Sequence, residues 1–301
     1  MNHDNLNASK FQQWSNTVLV VTFNRPFFHV LGLLQDLYEP FFNRVIFCGE
    51  FNRLKIPPHK KPNFSFIRVT AAENYEGLFQ YFCVLKAIEL LASERNLLDG
   101  FLVIGDDTLI NHWNQLGERN RFRLRHATLG AQPWDTYPFG INTALKDAVL
   151  KDPAFQPFLW HFRKALRGIN INIEDRHVLS HLMLDAKTIQ DYYFVPKRCI
   201  PFFYHLGSHF FKHRVMIEIA ISRIALGCGW ESFYRNFDLV DVPGTYLWYE
   251  PGERDSWMMK YNSTRDYFMH PVKLSKMSDL NERRCYCHGY IRAYFQALNL
   301  L

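Results

Sequence analysis

The chain has 301 residues, of which 48% are hydrophobic and 16% aromatic, a composition too apolar for a disordered protein. Its 35 lysines and arginines exceed 29 acidic residues, which gives a formal net charge of +6. Because no long basic run accompanies this excess, the composition argues against a nucleic-acid partner and is compatible with an anionic small substrate.

The first thirteen residues are polar and lack the apolar stretch of a signal peptide. We expect a mobile leader over 1–13 and a single domain over 14–301. No apolar run approaches the ~20 residues of a membrane-spanning helix, so the sequence predicts no membrane span. A Golgi or endoplasmic-reticulum lumen, reached through an anchor outside these residues, and the cytoplasm both stay open as locations.

Six cysteines show neither a CxxC pair nor the spacing of a zinc site. Cys48 and Cys83 lie in apolar surroundings, and we expect them to be ordinary core residues. Cys285 and Cys287 are candidates for disulfides in an oxidising lumen, although their spacing disfavours a bond to each other.

Strands and helices alternate through the first part of the chain. The predicted elements are strand 17–24, helix 27–38, strand 44–49, strand 64–70, helix 75–94 and strand 101–104. This order predicts a mostly parallel central sheet with right-handed crossovers. We expect residues 14–115 to be a Rossmann-like nucleotide-binding half of an α/β fold and residues 116–301 to be the acceptor and catalytic half.

The second half is less regular. Its predicted elements are strand 192–195, helix 213–226, strand 245–249, a loop over 266–275 and a closing helix over 281–301. Apolar residues surround almost the whole circumference of helix 213–226, but Glu218 and Ser222 interrupt them. Being four residues apart, they form one narrow polar strip. Glu218 therefore either faces a cleft as a functional acid or faces solvent through a gap in the packing.

Two acids, Asp106 and Asp107, follow the apolar strand that ends at Ile104. Ligands of open α/β sheets collect at the carboxyl ends of the strands, where two carboxylates suit Mg²⁺ or Mn²⁺ carrying a diphosphate. No glycine-rich phosphate loop follows any predicted strand, so a phosphate site would depend on a metal. Alternatively, the pair caps a helix over Thr108–Leu116.

Further residues fit the same site. His270 offers an imidazole to the cation, and Lys273 offers a positive charge to a departing phosphate. Asp175, which follows Glu174, is the alternative to Glu218 as the functional acid of this site. Another interpretation is that Glu174 and Asp175 only occupy the first turn of a helix, where acids are favoured by the helix dipole. Lys197 and Arg198 are additional phosphate candidates.

Four short segments resemble parts of a known group of enzymes. Ile104-Gly-Asp-Asp-Thr-Leu-Ile-Asn111 resembles the acidic motif of the exostosin-type C-terminal glycosyltransferases, which belong to the GT-A class with a DxD metal motif. Three further segments resemble parts of the same class: Thr22-Phe-Asn-Arg-Pro26, Met216-Ile-Glu-Ile-Ala220 and His270-Pro-Val-Lys273. The resemblance implies a GT-A-like fold in which a mixed, mostly parallel sheet is flanked by helices.

The resemblance also implies roles for particular residues. Asp107 and His270 would bind Mn²⁺ or Mg²⁺, whereas Asp106, Arg25 and Lys273 would contact the nucleotide sugar. Glu218, or Asp175 in its place, would be the catalytic acid near the donor sugar and the acceptor hydroxyl. As a departure from the motif, Gly105 occupies the position of its first acid.

The expected activity is metal-dependent transfer of a hexosyl or N-acetylhexosaminyl group from a UDP-sugar to a saccharide or glycoconjugate hydroxyl. Inversion and retention both stay open, and the resemblance favours retention. One alternative is a catalytically degenerate carbohydrate-binding or scaffold protein on the same fold, for which Gly105 is the best evidence. The other is a sugar nucleotidyltransferase, although Asn24-Arg25-Pro26 lacks the glycine-rich loop of that class.

Overall fold

The computed structural model describes two sheets and the helices around them. The described residues are 16–24, 30–50, 65–110, 141–167, 178–179, 182–183, 192–228, 246–248 and 268–270. The strands are β1 (Thr17–Thr22), β2 (Arg44–Gly49), β3 (Ser65–Arg68), β4 (Gly100–Gly105), β5 (Leu109–Ile110), β6 (Tyr192–Pro196), β7 (Tyr246–Trp248) and β8 (Phe268–His270). The α-helices are α1 (Leu31–Tyr38), α2 (Ala71–Asn74), α3 (Tyr81–Leu90), α4 (Ile141–Lys146), α5 (Gln156–Arg167), α6 (Ile200–Lys212) and α7 (Ile217–Gly227).

The larger sheet has five strands in the order β3-β2-β1-β4-β6. Strands β3, β2, β1 and β4 are parallel to their neighbours, and β6 is antiparallel to β4. The prediction of a mixed, mostly parallel sheet flanked by helices is therefore confirmed. Both β1 and β4 are buried along their whole length, which explains why their sequences are continuously apolar.

A layer of helices covers the large sheet. Helix α3 contacts β1, β2 and β3 and packs against α6, which in turn contacts α7. Gly207 of α6 allows close approach, because a Cβ atom there would lie only 3.0 Å from Leu85 of α3. These helices, β1 and β4 share one hydrophobic core.

The helix predicted over 75–94 is shorter than expected. A 3₁₀ turn occupies Tyr75–Gly77, and α3 begins only at Tyr81. The backbone φ angles of Tyr75 and Gly77 are +36° and +92°, values that end a right-handed helix. Apolar spacing in the sequence continues through this break, so it did not reveal the turn.

The helix predicted over 213–226 also begins later than expected. Helix α6 ends at Lys212, Arg214 has a φ of +57°, and α7 starts at Ile217. The amide of Val215 donates to the carbonyl of Phe210 across the break, at 3.0 Å. The structure thus has two helices joined by a tight turn in this part of the chain.

Cys48 and Cys83 are both buried, as predicted, but they are more than ordinary core residues. They form a disulfide between β2 and α3. Cysteine connectivity cannot be deduced from sequence spacing alone, and no local motif marked this pair.

Several predictions concern the remainder of the chain. Strand 192–195 is confirmed as β6, and strand 245–249 contains β7, whereas the loop predicted over 266–275 contains β8. The leader over 1–13 and the closing helix over 281–301 lie outside the described residues. Within the described ranges, no helix has the length and apolar character needed to cross a membrane.

Candidate functional site

Asp106 and Asp107 occupy a tight turn at the carboxyl end of β4. The amide of Thr108 donates to the carbonyl of Gly105 at 3.1 Å, which places the two acids at the centre of the turn. The amide of Asp106 donates to the carbonyl of Thr22 at 2.9 Å, so the turn is joined to the end of β1. Residues 109–110 form a strand rather than a helix, and the helix-cap alternative is therefore wrong.

His270 lies beside Asp107 because β5 pairs with β8. The pairing is antiparallel and places Leu109 opposite Met269, which brings the ends of the two strands together. The His270 Nε2 atom is 3.3 Å from Asp107 Oδ1, and the two side chains are only 12% and 11% exposed. The structure thus brings together two residues that the sequence analysis had proposed as partners.

Two contacts fix the small sheet against the rest of the protein. The amide of Ile110 donates to the hydroxyl of Tyr38 in α1, at 3.1 Å. Burial raises the pKa of this phenol, so Tyr38 stays neutral at physiological pH. In addition, the ring of Phe268 in β8 stacks on Tyr192 of β6 with 3.9 Å between centroids. Both contacts hold β5 and β8 in the register that pairs Asp107 with His270.

The end of β1 is held by a network of polar side chains. The Thr22 hydroxyl lies 2.9 Å from Oε1 of Gln80 and 3.0 Å from the carbonyl of Ile104, and the amide of Gln80 donates to the side chain of Asn24. Gly77 has a φ of +92°, a backbone conformation that glycine adopts more readily than other residues, and a Cβ atom there would meet the side chain of Asn24. This network defines the backbone up to Asn24, the residue before Arg25.

Glu218 lies in the first turn of α7, near the same edge of the large sheet. The amide of Ile217 donates to the carbonyl of Leu78 at 2.9 Å. Leu78 belongs to the segment that carries Gly77 and Gln80, which contact the end of β1. The start of α7 is therefore attached to the segment that contacts the end of β1, and the catalytic role of Glu218 stays a prediction.

The remaining sequence candidates divide into two groups. Arg25, Asp175 and Lys273 lie outside the described residues, and their roles stay predictions. Lys197 and Arg198 directly follow β6, and the antiparallel register pairs Pro196 with Gly100 at the amino end of β4. The acid turn is at the other end of this strand, ~16 Å away at ~3.3 Å per residue. Lys197 and Arg198 therefore cannot belong to the Asp107 site.

A second cluster, which the sequence analysis missed, consists of Asp152, His209 and His213. Its potential ligand atoms all lie within 4.8 Å of one another, and it is a possible metal site. Hydrogen bonds from Lys212, His213 and the amide of Ala154 hold the pKa of Asp152 well below its ordinary value. Burial lowers the pKa of His209. The signal in the sequence was two histidines four residues apart, which lie on one face of a helix.

The fold defines a class of protein: an α/β protein with a mixed, mostly parallel five-stranded sheet flanked by helices, in which two acids, Asp106 and Asp107, directly follow the carboxyl end of β4. The chain belongs to the family of STELLO glycosyltransferases, whose model matches residues 1–165. No curated protein and no solved structure matches the chain. The family match includes Asp106 and Asp107 and ends before Glu218 and His270. It shows a glycosyltransferase family, and the exostosin-type resemblance is not shown.

Proposed function

We propose that the protein is a metal-dependent glycosyltransferase that transfers a sugar from a UDP-sugar to a hydroxyl of a saccharide or glycoconjugate. The observation that carries this proposal is the Asp107–His270 pair, with 3.3 Å between Oδ1 and Nε2. The pair lies at the ligand-binding edge of the sheet in a member of a glycosyltransferase family. Family membership supports a sugar donor and an acceptor, while the geometry supports the metal.

The spacing of the two ligand atoms fits a divalent cation. Two donors ~2.1 Å from one octahedral ion and at right angles around it lie ~3 Å apart, close to the separation of Asp107 Oδ1 and His270 Nε2. A carboxylate and an imidazole accept Mn²⁺ readily, and the carboxylate accepts Mg²⁺. When bound, the cation supplies positive charge that stabilises the departing nucleotide diphosphate.

The protein's own groups would position and activate the substrates. Arg25 and Asp106 hold the nucleotide sugar, and Lys273 neutralises charge on the diphosphate. Glu218 faces the acceptor hydroxyl and either removes its proton, which gives inversion, or stabilises an oxocarbenium-like centre, which gives retention. Asp175 is the alternative acid. The anomeric configuration of the product distinguishes the two pathways.

The Cys48–Cys83 disulfide supports a location in an oxidising compartment. Disulfides form and persist in secretory compartments and are rare in cytosolic proteins. We therefore place this glycosyltransferase in the lumen of the Golgi or the endoplasmic reticulum. Nonreducing peptide mapping of protein isolated from its natural source tests this placement.

Gly105 favours a second candidate function, a catalytically inactive carbohydrate-binding or scaffold protein. It is the last residue of β4 and occupies the position where a DxD motif has its first carboxylate. A site with one fewer acid would bind a metal and a diphosphate more weakly. Such a protein would still recognise glycans through its acceptor half.

Donor hydrolysis distinguishes these functions. Purified protein is incubated with a panel of UDP-hexoses and UDP-N-acetylhexosamines in the presence of Mn²⁺ or of EDTA. We expect Mn²⁺-dependent release of UDP from one donor. In a parallel incubation with UTP and sugar 1-phosphates, release of pyrophosphate would indicate a nucleotidyltransferase instead. If every sugar nucleotide stays intact with Mn²⁺ and with candidate glycan acceptors, the scaffold function replaces the enzymatic one.

A further inference from the structure

The Asp152 cluster shares no residue with the Asp107 site and has its own construction. Asp152 follows the π-helical turn Asp147–Lys151 and precedes a 3₁₀ turn at Pro153–Phe155. His209 is in the last turn of α6, and His213 is the residue that caps its carboxyl end. The cluster thus joins the segment before α5 to the end of α6.

The carboxylate of Asp152 is held in a fixed orientation. Its Oδ1 atom accepts a hydrogen bond from the amide of Ala154 at 2.9 Å, which leaves Oδ2 directed at α6. Oδ2 lies 2.8 Å from Nε2 of His213 and 2.8 Å from Nζ of Lys212. The Oδ2 atom of Asp152 therefore lies next to the side-chain nitrogen atoms of Lys212 and His213.

The ring of His209 is also fixed, and its tautomer follows from its partner. His209 is 8% exposed and packs against both Phe155 and Phe158, with ring centroids 5.8 and 5.9 Å away. Its Nε2 atom lies 2.8 Å from the carbonyl of Ala148, and a carbonyl only accepts hydrogen bonds. Nε2 therefore carries the proton, and Nδ1 keeps its lone pair. Histidines that bind metals are commonly oriented by such a bond from the other ring nitrogen to a backbone carbonyl.

We propose that Asp152, His209 and His213 form a transition-metal site that prefers Zn²⁺. Two imidazoles and one carboxylate make a ligand set typical of zinc, with a fourth position left for water. Mg²⁺ and Ca²⁺ prefer oxygen ligands and would bind weakly here. The site goes beyond the proposed glycosyltransferase activity and does not depend on it.

Lys212 is the group that the ion would displace. Its side chain is 67% exposed, so it can leave Asp152 and extend into solvent at little cost. The ring of His213 needs only to carry its proton on Nδ1 for Nε2 to become a ligand atom. Without metal, Lys212 and His213 both form hydrogen bonds with the same carboxylate oxygen.

Metal binding here would stabilise the turn between α6 and α7. Arg214, directly after His213, adopts a left-handed backbone conformation, and the carbonyl of Val215 accepts a hydrogen bond from Tyr81 at 2.7 Å. A metal that joins His213 to Asp152 would add a second link at this turn. It would act as a structural clamp ahead of the helix that carries Glu218.

The test uses tag-free protein, because a polyhistidine tag binds the same metals. The full chain is stripped with a chelator, titrated with Co²⁺ as a spectroscopic substitute for Zn²⁺, and followed by the visible d–d absorption of the cobalt ion. Thermal unfolding is measured with Zn²⁺ and with chelator. We expect one tetrahedral Co²⁺ per chain, recognised by its intense absorption, whereas an octahedral Co²⁺ at the Asp107–His270 pair would absorb only weakly. We also expect a higher melting temperature with Zn²⁺.

Variants assign the ion to this cluster. His213→Gln and Asp152→Asn should weaken Co²⁺ binding by more than ~10-fold, since even loss of an outer-shell partner commonly has an effect of that size. His205→Gln, on the same helix but outside the cluster, should bind Co²⁺ like the parent protein. Lys212→Met should bind it at least as tightly, because a competitor is removed. Asp107→Asn should leave the cobalt spectrum unchanged.

The proposal is overturned if the parent protein shows no cobalt absorption and no stabilisation by Zn²⁺. It is equally overturned if His213→Gln and Asp152→Asn retain the parent spectrum and affinity. His213 is 18% exposed, so its replacement should not prevent folding.

Discussion

Nε2 of His270 lies 3.3 Å from Oδ1 of Asp107, although the two residues belong to distant parts of the chain. The antiparallel pairing of β5 with β8 produces this approach. The tight turn directly after β4 contributes Asp107, and the end of β8 contributes His270.

Replacing Tyr38 by Phe should destabilise the small sheet. The substitution removes the hydroxyl that accepts the hydrogen bond of the Ile110 amide and leaves a buried donor unsatisfied, at a cost of about 1–3 kcal/mol. Urea denaturation measures the loss. Tyr204→Phe is the matched control, because the Tyr204 hydroxyl bonds to Glu89 at the surface and its loss should have little effect. Equal stabilities of the two variants would show that Tyr38 does not anchor β5.

Reducing the Cys48–Cys83 bond should lower the free energy of unfolding. The bond joins residues 35 apart in sequence, and chain entropy alone predicts about 4 kcal/mol for a loop of that length. The double variant Cys48→Ala/Cys83→Ala should show the same loss in urea denaturation and should no longer respond to a reducing agent. A parent protein whose melting temperature is the same with and without reductant would contradict this prediction.

Cys199 and Cys228 should react slowly with alkylating reagents in the folded protein. Burial, and then the neighbouring thiol of Cys199, raise the pKa of the Cys228 thiol. A raised pKa keeps the thiol protonated at pH 8, and only the thiolate is nucleophilic. Peptide mapping after iodoacetamide treatment should show labelling of both cysteines in urea but not in native buffer. Rapid labelling of Cys228 in native buffer would contradict a buried thiol with a raised pKa.

Replacing Glu218 by Gln should lower turnover and leave donor binding almost unchanged. General acid–base catalysis typically contributes a factor of about 10²–10⁴, and the amide keeps the shape of the carboxylate. Initial rates with the active donor measure the first effect, and UDP binding measures the second. Glu89→Gln, on the exposed side of α3, is a control that should keep full activity. Full activity of Glu218→Gln would transfer the catalytic role to Asp175.

The sequence predicted the large sheet well, because buried parallel strands have continuous apolar sequences that stand out from their surroundings. It also predicted that Asp107 and His270 belong to one site, because a carboxylate and an imidazole suit a metal–diphosphate site. Their role as metal ligands stays a prediction. The strand β8 has only three residues, too few for a recognisable period, and it was predicted as part of a loop. The pairing that brings His270 to Asp107 therefore appears only in the structure.

Other errors have similarly local causes. The turn at Gly77 depends on a positive φ angle, which hydrophobic spacing does not report. The Cys48–Cys83 bond joins two apolar segments whose proximity depends on the whole β2–β3–α3 arrangement. The Asp152 cluster combines a helical histidine pair with an acid from a distant turn. Of these, only the histidine pair, His209 and His213, was visible in the sequence.

The most direct test of the central claim is the dependence of UDP binding on Mn²⁺ in the parent protein and in Asp107→Asn, measured by isothermal titration calorimetry. Asp99→Asn is the matched control, because Asp99 precedes the other end of β4. We predict that Mn²⁺ strengthens UDP binding in the parent and in Asp99→Asn and has no effect in Asp107→Asn. Equal strengthening by Mn²⁺ in Asp107→Asn, or none in the parent protein, would contradict a metal–diphosphate site at the Asp107–His270 pair.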